Sequence, residues 1–229
     1  MEISVRPAEA ADAEDLADLH HLVWPRDRVD PDRFQRLLAG DSHRAHIALD
    51  PLGVVGYADG FATESQQDRP RWELDLLAVH PRARRRGIGT ELVVEQINTA
   101  RRAGARSIRA LVRLSNRGGH RTFARAGMTP DLTVYHLYTA PLGDDQSPKL
   151  PRASRLLEVE TLTYDGLWLE GAITSEVIVS LLKHAAPDGD RLVGMLIDPH
   201  QIAGDDAEKM VAMTFVGAFQ WYSLDFDSG

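Results

Sequence analysis

The sequence predicts an α/β protein of the α+β kind: a mixed central sheet flanked by helices, with a small acidic α+β region at the C-terminal end. Three observations predict it. Residues 74–92 (LDLLAVHPRARRRGIGTEL) run as an apolar strand out through Val79, break at His80-Pro81, and pass through an arginine- and glycine-rich turn into a helix beginning at Thr90. Around that segment, apolar residues switch between helical spacing and short strand-like runs across residues 1–140. Residues 141–154 (PLGDDQSPKLPRAS) then read as a linker, and the charge changes on crossing it.

The elements follow in order. Residues 3–6 read as a first strand, which Pro7 ends. Residues 11–23 carry Leu16, Leu19, Leu22 and Val23 at helical spacing, and residues 31–38 repeat that pattern. Residues 46–49 and 54–61 form a predicted β-hairpin around Asp50-Pro51-Leu52-Gly53. The helix after the glycine turn runs to about Arg102 and stops at Gly104. Strands are expected at 107–112 and 134–139. Beyond the linker, residues 156–163 read as a strand, with Asp165-Gly166 as a hairpin turn into Leu167-Trp168-Leu169. Thr174 or Ser175 caps a helix over 176–185, and residues 192–197 form another strand. Gly204-Asp205-Asp206 offers a cap for a final helix, while residues 212–219 are equally plausible as a strand.

Bulk properties limit the function classes. The chain has 229 residues, no cysteine and a formal net charge of −8, which excludes disulfides, thiolate catalysis and cysteine-held metal. Residues 1–150 hold 21 basic and 21 acidic side chains, whereas residues 151–229 hold 5 basic and 13 acidic. All the net acidity therefore lies in the tail, and nucleic acid is not an expected partner. Glu2, Glu9 and Asp12 argue against a signal peptide and no apolar run reaches membrane-span length. A cytoplasmic protein with no membrane partner is the expectation. The preference for Arg over Lys suggests a GC-rich bacterial source. Of the nine histidines, the pairs His20-His21 and His43-x-x-His46 lack a companion ligand at metal spacing, so no metal is expected.

The turn Arg84-Arg85-Arg86-Gly87-Ile88-Gly89 points to phosphate. Glycines permit positive φ and close backbone approach, successive N–H groups converge on an anion, and the helix N-terminus adds partial positive charge. A P-loop is excluded because Gly89-Thr90 lacks the lysine, and a dinucleotide fingerprint because Leu92 stands where the third glycine belongs.

Arg84, Gly87 and Gly89 fill the Gln/Arg-x-x-Gly-x-Gly/Ala pattern of the GNAT acyltransferases, and residues 77–81 resemble that family's central strand end. Asn116, Phe123 and Gly127-Met128 match a second family block at the same spacing, so residues 1–140 resemble a GNAT domain. The resemblance implies acetyl-CoA as cosubstrate, an amine-bearing acceptor, and direct transfer in a ternary complex. It implies that the backbones of Leu77, Ala78 and Val79 hold the pantetheine arm and acyl carbonyl. The N–H groups of Arg84, Arg85, Arg86, Gly87, Ile88, Gly89 and Thr90 would hold the pyrophosphate, with Arg84 favoured over Arg82 and Arg86. Asn116 would contact the pantetheine chain. Trp24 falls where the family's substrate loop runs, as pocket lining or as a core anchor.

An amine is almost wholly protonated at neutral pH, so a base is useful. Glu73 matches the glutamate base of some family members, and Asp75 is a second candidate. Period-two alternation sets both on one face with Leu77 and Val79; the bland alternative is a pair of carboxylates paired with Arg69 or Arg71. Phe123 departs from the family's tyrosine, whose hydroxyl protonates the leaving thiolate. Tyr135, Tyr138, Ser115 or a water would have to substitute, and Phe123 would then only line the cofactor site. Residues 155–229 match no motif. A dimerisation or substrate-selecting module is preferred over a degenerate second GNAT half, making a homodimer one expected assembly. An acyl-CoA-binding sensor is the alternative to an enzyme.

Overall fold

The computed structural model describes residues 2–27, 29–65, 69–143, 148, 150–186, 189, 191–200 and 212–226. The chain divides into two compact units, Met1–Asp131 with Trp221–Gly229, and Leu132–Gln220.

The first unit opens with β1 (Ser4–Pro7), a short 3-10 turn, α1 (Ala13–Val23) and α2 (Pro31–Ala39). Asp30 caps α2 by accepting from the Asp32 N–H, and Pro31 occupies the first turn, where its missing N–H is harmless. The hairpin of β2 (His46–Asp50) and β3 (Gly53–Glu64) follows, then β4 (Pro70–Val79), α3 (Ile88–Arg102), β5 (Ser107–Arg113), α4 (Arg117–Arg125) and β6 (Thr129–Pro130). β1, β2, β3 and β4 pair antiparallel in that order, and β5 joins β4 in parallel. Helix α3 covers one face, with Ile88 and Leu92 packed on Ala48, Val55 and Ala58 and with Val93 and Ile97 on Trp72 and Leu74. Helix α1 packs against β3 and β4.

Buried Gln96 ties α3 to this sheet. Its Oε1 accepts from Trp72 Nε1 at 2.9 Å, and its Nε2 donates to the carbonyls of Ala58 and Arg44 at 3.0 and 2.6 Å. The network needs the empty space at Gly60. A Cβ there would stand 2.3 Å from Trp72 Nε1 and 2.8 Å from the Glu73 carbonyl. Gly60→Ala is therefore expected to destabilise the protein by about 2–3 kcal/mol, read from urea unfolding; an unchanged midpoint would mean that the strands separate there without strain.

The second unit contains β7 (Tyr135–Leu142), β8 (Ser154–Glu160), β9 (Asp165–Gly171), α5 (Ser175–Leu182), β10 (Arg191–Ile197) and the first half of β11 (Thr214–Asp225). β8 and β9 form an antiparallel hairpin, β9 and β10 are parallel, and β7 pairs antiparallel with both β10 and β11. Thr174 caps α5, whose Val177, Ile178 and Leu181 pack on Leu167, Val193 and Met195.

Several expectations change. The unit boundary falls at 131/132, not near 140, because β7 pairs with β10 and β11. Part of the expected linker, and Gly204-Asp205-Asp206, lie outside the described residues. Residues 214–225 are a strand, and residues 221–225 return to the first unit, where Ser223 pairs with Thr129. Asp165-Gly166 is not the hairpin turn: residues 161–164 are, with Thr161 Oγ1 accepting from the N–H groups of Thr163 and Tyr164. Gly166 is glycine because a Cβ would meet the Leu192 carbonyl at 2.7 Å. Close approach of β10 thus looks, in the sequence, like a turn signal.

Candidate functional site

Strand β4 leads directly into the arginine turn. His80 Nδ1 accepts from the Arg82 N–H at 3.1 Å and caps a 3-10 turn at Pro81–Ala83. Arg84 is extended and its Nε donates back to the Val79 carbonyl at 3.1 Å, which braces the strand end. Arg85 (φ 64°) and Gly87 (φ 85°) are left-handed, a backbone alternation that turns N–H groups toward one concavity. Helix α3 begins at Ile88, two residues before the expected Thr90, because left-handed Gly87 serves as its N-cap. The Glu91 N–H already bonds the Gly87 carbonyl at 3.1 Å, so the N–H groups of Ile88, Gly89 and Thr90 precede the helix's own ladder. Arg82 is bound to Asp50.

Beside this turn the sheet opens. β4 and β5 pair only from Arg71↔Ser107 to Leu74↔Ala110. From Asp75 to Val79, β4 has no β5 ladder partner, and these are the positions where Leu77, Ala78 and Val79 were expected to present backbone groups. A bulge accompanies the opening: Asp59 pairs with Leu76 and Gly60 with Leu74, leaving Asp75 as the extra residue. The bulge reverses the alternation. Glu73 pairs with Phe61, while Leu77 and Val79 pair with Ala58 and Gly56 and pack with the α3 cluster. The expectation that Glu73 and Asp75 share a face with Leu77 and Val79 is therefore corrected, since strict period two fails at an inserted residue.

The two candidate bases sit in opposite environments. Glu73 accepts from Arg71 Nε at 2.7 Å, from Arg109 Nε at 2.8 and 2.9 Å, and from the Thr63 hydroxyl at 3.2 Å. Burial favours its neutral form, but the Arg109 and Arg71 charges outweigh it and hold its pKa below the usual value. Asp75 has no such donor on Oδ2. Burial first, then the charge of Asp59, pushes its pKa up to about 7.

The remaining candidates scatter. Asn116 is the N-cap of α4, with Oδ1 accepting from the Gly119 N–H at 2.9 Å. Phe123 is buried in the α3 core and tilts against Tyr222 at 5.7 Å between ring centroids. Tyr135 lies in β7 of the second unit, opposite Phe219, and Tyr138 in the same strand pairs with Phe215; neither belongs to the unit that holds the turn. Trp24 rests on buried His20 at 4.7 Å. His20 bonds the Tyr57 hydroxyl at 2.6 Å and Asp27 at 3.1 Å, and burial lowers its pKa.

Sequence reasoning missed two groups. Asp59 is fully buried in β3, where its Oδ2 accepts from His43 Nδ1 at 2.7 Å. Its signal was available: an aspartate inside the unbroken apolar strand of residues 54–61. Tyr222, whose hydroxyl bonds His120 Nδ1 at 3.1 Å, comes from the far end of the chain and had none. Among the described residues no group of three or more His, Asp or Glu side chains could hold a metal, and no helix is long and apolar enough to cross a membrane.

Comparison with known proteins agrees with this fold. A family model described as Acetyltransferase (GNAT) family matches residues 13–128. Among solved structures, Arabidopsis thaliana NAA60 in complex with acetyl-CoA aligns over 59% of this chain and 88% of its own, at 18% identity and a TM-score of 0.51. A GCN5-related N-acetyltransferase from Sphaerobacter thermophilus aligns over 99% of this chain and 96% of its own, at 14% identity and a TM-score of 0.58. A GCN5-related glucosamine N-acetyltransferase region of a fungal multi-domain GH3 β-N-acetylglucosaminidase aligns over 97% of this chain and 38% of its own, at 13% identity and a TM-score of 0.63. At these identities the likeness is one of fold. No curated protein matches the sequence.

Proposed function

The chain belongs to the acetyltransferase (GNAT) family, and on that premise we propose that it transfers an acetyl group from acetyl-CoA to a primary amine by direct attack in a ternary complex. One observation carries the reading: the β4–β5 ladder ends at Leu74 and Ala110 immediately ahead of the left-handed turn that opens α3. The freed edge of β4 suits a pantetheine arm and the thioester carbonyl. The N–H groups from Arg84 to Thr90 suit its pyrophosphate. Holding the thioester there makes attack by a neighbouring amine effectively unimolecular.

Asp75 is the better of the two bases. A carboxylate engaged by two arginines is a weak proton acceptor, whereas one whose pKa lies near neutrality matches the task. Phe123 supplies no proton to the departing sulfur, and the thiol of CoA leaves as a stable anion that does not require one in the same step. Asn116, committed as the α4 cap, positions the helix beside the opening. A net charge of −8 does not suit a nucleic-acid partner.

The test is thiol release from acetyl-CoA against a panel of amines, with bound CoA identified by mass spectrometry. Amine-dependent release is expected. Bound CoA with no release from any amine would favour the sensor reading, for which Phe123 is the motivating residue. A second measurement isolates the turn. Gly87→Ala forces a side chain into the left-handed region at about 1–2 kcal/mol, so acetyl-CoA should bind roughly tenfold more weakly by calorimetry. Unchanged affinity would remove the turn from the site.

A further inference from the structure

Asp59 and Asp75 are neighbouring buried carboxyl groups with too few partners. Asp59 Oδ2 accepts from His43 Nδ1 at 2.7 Å, and Asp59 Oδ1 has no hydrogen bond. Asp75 stands at the bulge across from Asp59 and Gly60, and its Oδ2 is likewise buried and unbonded. Two ionised carboxylates in this position would repel strongly, and a single proton held between them relieves that repulsion. We propose that Asp59 and Asp75 form a proton-sharing pair in which His43 anchors Asp59 and Asp75 takes the proton of the acceptor ammonium. Burial raises the pKa of Asp59 too, and the His43 bond opposes that rise. The inference rests on the amine-acetylation reading above; Asp59 and His43 are positioning residues and Asp75 the reacting one.

The surroundings support this division of labour. Glu73 on β4 is neutralised by its arginines. Tyr57 on β3 keeps its proton, because burial and then the charges of Asp59 and Asp75 raise its pKa well above the usual value. His20 of α1 bonds the Tyr57 hydroxyl and is held neutral by burial. The donors to Asp59 are His43 Nδ1 and the backbone N–H of Gly60. Asp59 is the foremost charge acting on Asp75, after burial itself. Removing that charge would return Asp75 toward an ordinary carboxylate.

The step balances. Asp75 carboxylate takes one proton from the ammonium, and the freed lone pair forms the C–N bond to the thioester carbonyl as the C–S bond breaks. Sulfur leaves with the bonding pair. The second nitrogen proton neutralises the thiolate, and the proton on Asp75 passes to solvent.

The experiment is a carboxyl 13C NMR titration of the full chain labelled at aspartate, run alongside the pH dependence of kcat/KM. Asp59→Asn is expected to lower the Asp75 midpoint by about one unit or more and to move the acidic limb of kcat/KM down equally. His43→Ala should raise the pair's upper midpoint, and His43→Gln, which keeps a donor for Asp59, should largely restore it. A midpoint that Asp59→Asn leaves in place overturns the pair even if an amine is acetylated. Should that variant fail to fold, an unmoved midpoint in His43→Ala has the same force. The NMR titration needs no substrate. A midpoint that moves, with no amine-dependent thiol release, therefore overturns the acetyl-transfer reading and leaves the coupled carboxyl pair standing.

Discussion

Asp75→Asn is expected to lower kcat by about two to four orders of magnitude while raising the melting temperature above pH 7. Both effects have one source. The folded-state pKa of Asp75 is raised from the ordinary 3.8 to about 7, by burial first and by Asp59 second. Between those values the folded protein holds a proton that the unfolded chain has lost, so stability falls as pH rises. The favourable contribution is complete below the ordinary pKa and is lost as pH climbs through about 7. Above that pH the wild type carries an ill-solvated negative charge whose penalty is on the order of a few kcal/mol, and asparagine does not. Thermal unfolding at pH 4, 6 and 8 should show the two proteins converging in acid and the variant ahead in base. A stability difference that ignores pH would sink the assignment of the raised group, and an undiminished kcat would sink its role as base.

Glu73→Gln is expected to act in the opposite sense. It should destabilise the protein by roughly 3 kcal/mol, because it leaves the guanidiniums of Arg71 and Arg109 without their countercharge in a mostly buried setting. Arg109 also stacks over Trp221 at 4.1 Å, so the loss should reach the strand that closes the unit. The pKa of Glu73 is lowered from 4.5, the arginines prevailing over burial. Its stabilisation is therefore present above that ordinary value and disappears as pH falls through the folded one. Denaturant unfolding at pH 7 should separate the variant from the wild type, and the gap should narrow in strong acid. The acidic limb of kcat/KM should stay where it is. If that limb moves or vanishes while stability holds, Glu73 is the base and the assignment to Asp75 fails.

These two carboxylates mark how far the sequence could be read. Residue spacing singled out both but ranked Glu73 first, by resemblance. The proposed order is the reverse, and the bulge at Asp75 breaks the alternation on which the shared face depended. In addition, Arg109 reaches Glu73 from β5, 36 positions along the chain. Asp59 and Tyr222 went unassigned, and His43 was weighed only as a metal ligand, because each acquires its meaning from a partner on another element.

The local features were legible. The turn from Arg84 to Gly89, the Thr174 cap, and the hairpin of β2 and β3 all depend on interactions a few residues apart. Backbone stereochemistry and hydrogen bonding at that range are written directly in residue order. By itself, the sequence determined most elements of the first unit, the glycine-rich turn that opens α3 and the family of the fold. Only the tertiary structure decided which carboxylate is held by arginines and which is left with an unbonded oxygen. A pKa is set by burial and by charges brought close in space, and neither quantity exists until the strands have paired.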